Sequence, residues 1–363
     1  MIETLRRKIE REGGWIPFSD FMRTALYEPG LGYYAAGARK FGAGGDFVTA
    51  PTLSPLFGQT VARAIYDVVY RGSDQVLELG AGTGALALSV LSWLSSQGIV
   101  VQYTILELSP DLRARQEETL AAFTPQIRWI TALPDVINGV VIANEVLDAV
   151  PCERIYFHQG VHNRVGVVHR DNRFVLKSRP VPPDAPHPLR DALSRVPAQE
   201  GYLSEINIEA EALVRTVTER MHDAVALWFD YGFPRAEYYH PQRRDGTLMC
   251  HVQHRTHSDV FFAPGMQDIT AHVDFTAMAH AARDGCADQI AYVSQAQWLL
   301  ESGLLESLMT VGAPGSAAYL TASNAVNQLV SPAEMGELFK VMMVQRGACP
   351  ITLGFSRDQS YRL

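Results

Sequence analysis

Gly80, Gly82 and Gly84 stand at alternate positions directly after the short apolar run 76–79 and before a helical segment. At such a junction the missing Cβ permits a tight turn and lets backbone N–H groups approach a ligand that a side chain would push away. Two acids frame the loop: Glu78 inside the strand end, and Glu107 at the close of the next apolar run, 102–106. A carboxylate at the second position can accept both hydroxyls of a ribose, which points to a nucleoside ligand. An acid beside the glycines attracts a cation and repels a pyrophosphate. The spacing agrees, since position 85 is Ala85 and the third glycine falls at 84, one residue short of the dinucleotide pattern G-x-G-x-x-G. Taken singly, Glu78 reads as a solvated strand-end acid and Glu107 as a charge favoured by a helix start. Their placement around one loop is what argues for a site.

This form of the loop resembles that of S-adenosylmethionine-dependent methyltransferases, and Glu78, Gly80, Gly82, Gly84, Glu107 and Asn144 are read as contacts to that cofactor. Methyl transfer from a sulfonium needs an acceptor in line with the S–CH₃ bond, exclusion of water and removal of a proton. Carboxylates at the C-terminal ends of the strands suit this, because open α/β sheets bind ligands there. Asn144, Glu145 and Asp148 follow the apolar run 139–143, and Glu145 and Asp148 are the leading candidates to bind the acceptor or take its proton. The competing reading makes Asn144 the cap of a helix starting there, with the acids serving its dipole. Glu205 and Asp230 close other elements near the same edge and are secondary candidates. His272 and Asp274 lie two residues apart and would share one face of an extended strand. His272 is read as an active-site group, against the alternative of a hydrogen-bonded core histidine. Asp46 and Thr49, in a Gly-rich N-terminal segment, are placed where polar groups can meet the methionine part of the cofactor or the acceptor. His251, His254 and His257 follow H-x-x-H-x-x-H, but Arg255 lies among them and Asp259 is the one acid nearby, so no metal site is expected.

Positioning these groups requires a particular order of elements. From 75 onward short apolar strands alternate with helical segments: 76–79, a helix to about 96, 102–106, a helix from about 109, then strands at 127–130 and 139–143. That is the βαβ signature of a parallel sheet. Three β-rich pieces at 154–157, 164–169 and 174–177, separated by Gly- or Asn-containing turns, suggest an antiparallel insertion ended by the Pro-rich run 180–188. A helix at 207–221 leads to a buried strand at 224–230, and a last pair at 338–345 and 351–355 is expected to close the sheet. The expected fold is α/β, a Rossmann-like, mostly parallel, seven-stranded sheet with an N-terminal helical lid and an inserted antiparallel β/helical subdomain. Its segments are a lid at 1–70, the cofactor-binding half at 71–152, the insertion at 153–206 and the remainder of the catalytic domain at 207–363.

Composition bounds the partners. With 363 residues, 47% hydrophobic and 19% charged, the chain can bury a large core. Its net charge of −8 gives no footprint for unspecific nucleic-acid binding. Cys152, Cys250, Cys286 and Cys349 form no C-x-x-C pair, so neither a zinc ribbon nor a disulfide scaffold is indicated. No stretch reaches the roughly 18 apolar residues of a membrane span, and a cytoplasmic protein, monomeric or homodimeric, is expected.

Beyond the loop, several segments are similar to the MidA-like methyltransferases of bacteria and mitochondria. They include Tyr27-Glu28-Pro29-Gly30-Leu31-Gly32-Tyr33-Tyr34, Gly45-Asp46-Phe47-Val48-Thr49-Ala50-Pro51, and Ala143-Asn144-Glu145-Val146-Leu147-Asp148-Ala149-Val150-Pro151. Phe229-Asp230-Tyr231-Gly232 and Gln267-Asp268-Ile269-Thr270-Ala271-His272-Val273-Asp274-Phe275 extend the likeness over nearly the whole chain. The resemblance implies a class I methyltransferase sheet and, by analogy with the mitochondrial branch, methylation of an arginine on a respiratory complex I subunit. A eukaryotic member would then sit in the mitochondrial matrix. Rival readings are a small-molecule methyltransferase, a non-catalytic assembly factor that keeps the fold, and a nicotinamide oxidoreductase, the last disfavoured by Glu78 and the glycine spacing.

Overall fold

The computed structural model describes residues 1–35, 49–252, 255–349 and 352–363. Its strands in chain order are β1 (Ile16–Pro17), β2 (Gln75–Leu79), β3 (Gln102–Leu106), β4 (Ile127–Ile130), β5 (Ile137–Asn144), β6 (Glu153–His158), β7 (Val161–Arg170), β8 (Arg173–Pro180), β9 (Tyr202–Ile206), β10 (Met221–Phe233), β11 (Met249–Val252), β12 (Arg255–His257), β13 (Asp268–Thr270), β14 (Val273–Asp274), β15 (Gln289–Ser294) and β16 (Phe339–Arg346). The chain divides into two interleaved units. One takes the described N-terminal residues up to Ala35, Leu147–Leu213 and Phe233–Asp274; the other takes Thr49–Val146, Val214–Gly232 and Phe275–Leu363. Among the described residues no helix is long and apolar enough to cross a membrane.

The second unit carries the central sheet, in the order β15-β16-β10-β5-β2-β3-β4. Five strands, β4 to β10 along that path, run parallel. β16 is antiparallel to both β10 and β15. Val140, Val141 and Ile142 are fully buried, as a central strand covered on both faces requires. At Gly139 (φ +82°) an added Cβ would collide with the Gln75 carbonyl oxygen, so only glycine lets β5 come this close to β2. Helices Pro55–Arg71 and Ala85–Ser96 bury their apolar stripes in the same core, including Val61, Ile65 and Val68 from the first and Leu86, Val90 and Leu94 from the second. Phe57, Phe229 and Trp298 stack edge-on within it.

One expected strand is corrected. Residues 352–355 form no strand, and the partner that closes the sheet beside β16 is β15. The run Gly354-Phe355 reads as apolar but takes a turn, with Gly354 at φ +96° packed where a Cβ would meet the Trp298 ring.

The first unit is built on the antiparallel sheet β1-β7-β6-β9, with β8 paired to β7. Its hairpins turn at Gln159-Gly160 and Asp171-Asn172, all four with positive φ, the conformation that a two-residue turn imposes on right-twisted strands. A second, three-stranded sheet runs β12-β11-β13. Phe21, Phe174 and Phe261 join the two helices of residues 2–27 to the β7–β8 hairpin in one core.

Candidate functional site

In the second unit the glycine loop leaves the C-terminal end of β2. Gly80, Gly82 and Gly84 have φ of +62°, +54° and +83°, and Gly84 opens the helix Ala85–Ser96. The Gly80 N–H donates to the Leu106 carbonyl at 3.0 Å, which ties the loop to the end of β3. A Cβ on Gly82 would meet nothing within 4 Å, so this glycine faces open space, whereas one on Gly84 would touch Leu120 at 3.4 Å.

Glu78 is buried at the end of β2 and accepts a hydrogen bond from the Tyr103 hydroxyl at 2.8 Å. Burial pushes its carboxyl up from 4.5 to about 7; the Tyr103 hydroxyl works against that rise and the charge of Glu107 adds to it. Glu107 follows β3. Its Oε1 accepts from the Ser109 N–H at 2.9 Å and its Oε2 from the Gln116 amide at 2.8 Å. Burial raises its pKa as well, against those same hydrogen bonds. The Leu108 N–H adds a further backbone bond to this carboxylate, and of its roughly four lone-pair sites not all are taken, which leaves acceptor capacity for a ribose hydroxyl.

Gln116 was not singled out from the sequence, where it is one polar residue in the charged helix Pro110–Thr119. It is fully buried. Its Nε2 bridges Glu107 Oε2 and the Gly82 carbonyl at 2.8 and 3.0 Å, and the Trp129 indole N–H holds its Oε1 at 3.0 Å. Glycine loop and ribose-type acid are thus fastened by one side chain.

The end of β5 lies beside the loop, for a Cβ on Gly80 would touch Val146 at 3.5 Å. No helix begins after Asn144; the chain runs in turns and bends to β6, which removes the capping explanation for this Asn and its acids. Glu145 takes φ +54°, a left-handed conformation that costs a non-glycine residue of order 1–3 kcal/mol. Hydrogen bonds help hold it there: its N–H donates to the Phe229 carbonyl at 2.8 Å, and its Oε1 accepts from the Asn144 amide at 3.1 Å. Asn144 Oδ1 is buried and has no hydrogen-bond partner among the described residues. A buried acceptor left over at the mouth of the loop, the open space at Gly82 and the spare lone pairs of Glu107 fit a nucleoside bearing an amino-acid arm. Asp230, three residues before the end of β10, accepts the Tyr231 N–H on its carboxylate at 2.9 Å. Thr49 starts the short helix Ala50–Leu53, its N–H donating to Thr52 Oγ1 at 3.0 Å. Asp46 and His254 lie outside the described residues.

The remaining candidates belong to the first unit. Asp148 is buried and its carbonyl accepts the Ala271 N–H at 3.0 Å. Glu205, also buried, has both oxygens engaged: Oε1 by Arg154 Nε at 3.2 Å, Oε2 by the N–H and hydroxyl of Thr247 at 2.8 and 3.1 Å. Thr247 in turn accepts the His272 N–H on its hydroxyl at 3.1 Å, and its carbonyl faces His272 Nδ1 at 3.3 Å. The ring of His272 stacks on Phe233, and burial drives its pKa down to about 4, so it is neutral at physiological pH. Asp274 sits 3.6 Å from the Arg235 guanidinium. The structure therefore joins Glu205 and His272 in one chain of hydrogen bonds through Thr247, a linkage that spacing in the sequence does not announce. His251 and His257 stand on the adjacent strands β11 and β12, where His251 lies opposite Thr256 and His257 opposite Cys250.

Comparison with known proteins agrees with this geometry. A family model for S-adenosyl-L-methionine-dependent methyltransferases matches residues 60–292. A Burkholderia thailandensis protein, crystallised bound to S-adenosyl-homocysteine, is 45% identical, superposes with a TM-score of 0.94, and is matched over 100% of this chain and 96% of its own. The Drosophila melanogaster protein named as a homolog of mitochondrial protein arginine methyltransferase NDUFAF7 is 28% identical over 96% of this chain and 85% of its own length. The human protein of that name is 26% identical over 93% and 82%. With a class I methyltransferase sheet and a chain-long match of this kind, the protein belongs to the S-adenosylmethionine-dependent methyltransferases.

Proposed function

We propose that the protein is a protein arginine N-methyltransferase acting on a subunit of a respiratory complex I-type enzyme, in the bacterial cytoplasm or, in a eukaryote, the mitochondrial matrix. The observation that carries this reading is the similarity, over more than nine-tenths of the chain, to relatives named as protein arginine methyltransferases. The strained Glu145 directly after β5 supports it.

Bound S-adenosylmethionine supplies an electrophilic methyl group on a sulfonium. Everything else falls to the chain. The glycine loop keeps side chains clear of the ligand, Glu107 offers lone pairs to the ribose hydroxyls, and Asn144 Oδ1 and Glu78 serve the amino-acid arm. A guanidinium enters protonated and must lose a proton as its nitrogen attacks, so paired carboxylates hold its planar fork and accept that proton. Glu145 and Asp148, on the loop after β5, are proposed for this role. Within the first unit Glu205 and Thr247 fix the neutral ring of His272, which is proposed as an active-site group.

The test is transfer of labelled methyl to complex I subunits, with the modified residue identified by mass spectrometry. Methylarginine is the expected product, and Glu145→Gln should lower kcat about a hundredfold with little change in the KM for the cofactor. Label on a lysine, a carboxyl group or only on small metabolites would overturn the arginine reading while leaving the methyltransferase itself intact.

Glu78 makes a pH prediction. Between its ordinary 4.5 and the folded value of about 7 the ligand-free protein holds a proton that the unfolded chain has released, so this group's contribution to stability declines as pH rises through that window. A cationic ligand favours the ionised form. Cofactor affinity should therefore rise with pH through about 7, with release of a proton below it, and Glu78→Gln should retain only the titration of the ligand itself. Calorimetry in buffers of different ionisation enthalpy reads both effects; equal proton release by the two proteins would show that Glu78 does not sense the cation.

A further inference from the structure

The β7–β8 hairpin is net positive in a net negative chain. Residues 161–180 hold five Lys and Arg against one Asp, in a chain whose net charge is −8. Four of these cations, Arg170, Arg173, Lys177 and Arg179, are exposed, and no acidic side chain among the described residues lies within 4.0 Å of them. The fifth, Arg164, is different, since it pairs with Glu153.

Register puts the four on one face. Arg173 lies opposite Arg170, Val175 opposite Val168, Lys177 opposite Gly166 and Arg179 opposite Arg164, and directly opposed residues of an antiparallel pair project to the same side. The other face is spoken for, because Phe174 and Val167 pack into the core with Phe21. In the middle of the basic face lies Trp15. Its indole covers Gly166, where a Cβ would collide with the ring; its N–H donates to the Lys177 carbonyl at 2.8 Å; and the Arg179 guanidinium stands 4.8 Å over it. The ring is half-buried, so its outer surface remains available. Val175, 45% exposed, adds an apolar spot between the cations.

β8 is paired on one side only among the described residues. An open strand edge lined by unpaired like charges repels a second copy of itself and favours a chain of opposite sign. Spacing suits an extended one. Arg173, Lys177 and Arg179 follow one another at about 13 and 7 Å along the strand, and an extended partner with an acid at every second residue presents carboxylates about 7 Å apart on one side.

We propose that this tryptophan-centred basic face is a docking surface for an acidic, extended polypeptide segment that runs beside β8. It goes beyond the arginine reading and does not depend on it, since the docked segment need not contain the methylated residue.

The probe is a fluorescent peptide of mixed Asp and Glu, titrated by anisotropy against the full-length protein, beside a Gln/Ser peptide of equal length, a single-stranded RNA oligonucleotide, and vesicles of equimolar phosphatidylcholine and phosphatidylserine. The acidic peptide is expected to bind more tightly than the other three, to weaken as salt is raised, and to lose about tenfold or more in affinity in Arg173→Glu with Lys177→Glu. Affinity for S-adenosylmethionine should stay within about twofold, which checks that the variant is folded. Milder Arg173→Gln with Lys177→Gln should give an intermediate loss. Binding of the acidic peptide no better than the neutral one, or unaltered by charge reversal, overturns the proposal. So does RNA or vesicle binding that exceeds peptide binding and vanishes in the same variants.

Discussion

Gly82→Val should abolish saturable binding of S-adenosylmethionine and lower kcat/KM for methyl transfer by at least about a thousandfold. Two effects add. A β-branched residue at φ +54° is strained by about 1–2 kcal/mol, and its methyl groups fill the space that the glycine leaves open at the mouth of the loop. Because that Cβ has no protein neighbour within 4 Å, the fold should tolerate the change, losing no more stability than the about 1–2 kcal/mol of backbone strain. Gly84→Val is the poorer test, since the side chain there presses on Leu120 and confuses binding with stability. Gly82→Ala separates the two contributions by adding backbone strain with little bulk. Calorimetric titration with S-adenosylmethionine and with NADH decides the matter. Equal binding of the methyl donor by Gly82→Val and wild type would falsify the assignment of this loop.

The second large effect concerns stability. Glu205→Ala should destabilise the first unit by about 3–5 kcal/mol, because it strands a buried guanidinium. Arg154 is 7% exposed and Glu205 1%, so water cannot replace the missing carboxylate. Thr247 loses the acceptor for both its N–H and its hydroxyl at the same time. Glu205→Gln retains an acceptor and should cost less. Hydrogen exchange at β9 and β11 is the measurement, since it reports the first unit separately from the second. A protein as protected as the wild type, but with kcat reduced, would assign Glu205 to the chemistry instead of to the framework.

Much of this was legible in the chain because it is local. The unbroken run Val140-Val141-Ile142 reads as a doubly covered strand, and Glu78, the three glycines and Glu107 are placed by the strands that immediately precede them. The β7–β8 hairpin was likewise marked by its turn residues. What escaped is non-local. Gln116 differs from its polar neighbours only in the partners that folding brings to it, Gly82 thirty-four residues before and Trp129 thirteen after. Thr247 gains its meaning from Glu205, forty-two residues away. The left-handed backbone of Glu145 has no signature in residue type, since such positions usually select glycine or asparagine. β15 went unnoticed because six residues flanked by helices on both sides carry little periodicity, while the apolar residues near 355 imitated a strand.

The strand order of the central sheet sets when the second unit can be completed during synthesis. β16 lies between β10 and β15 in the sheet but follows both in the chain. Until residues 339–346 have left the ribosome, β10 lacks its antiparallel partner over 224–231, and β15 has no strand partner among the described residues. The nascent chain must therefore carry more than three hundred residues with an unfinished seam through its sheet. That exposure is a reason for chaperone dependence, and it predicts that a stop shortly before Phe339 would yield an aggregating product, not a smaller enzyme.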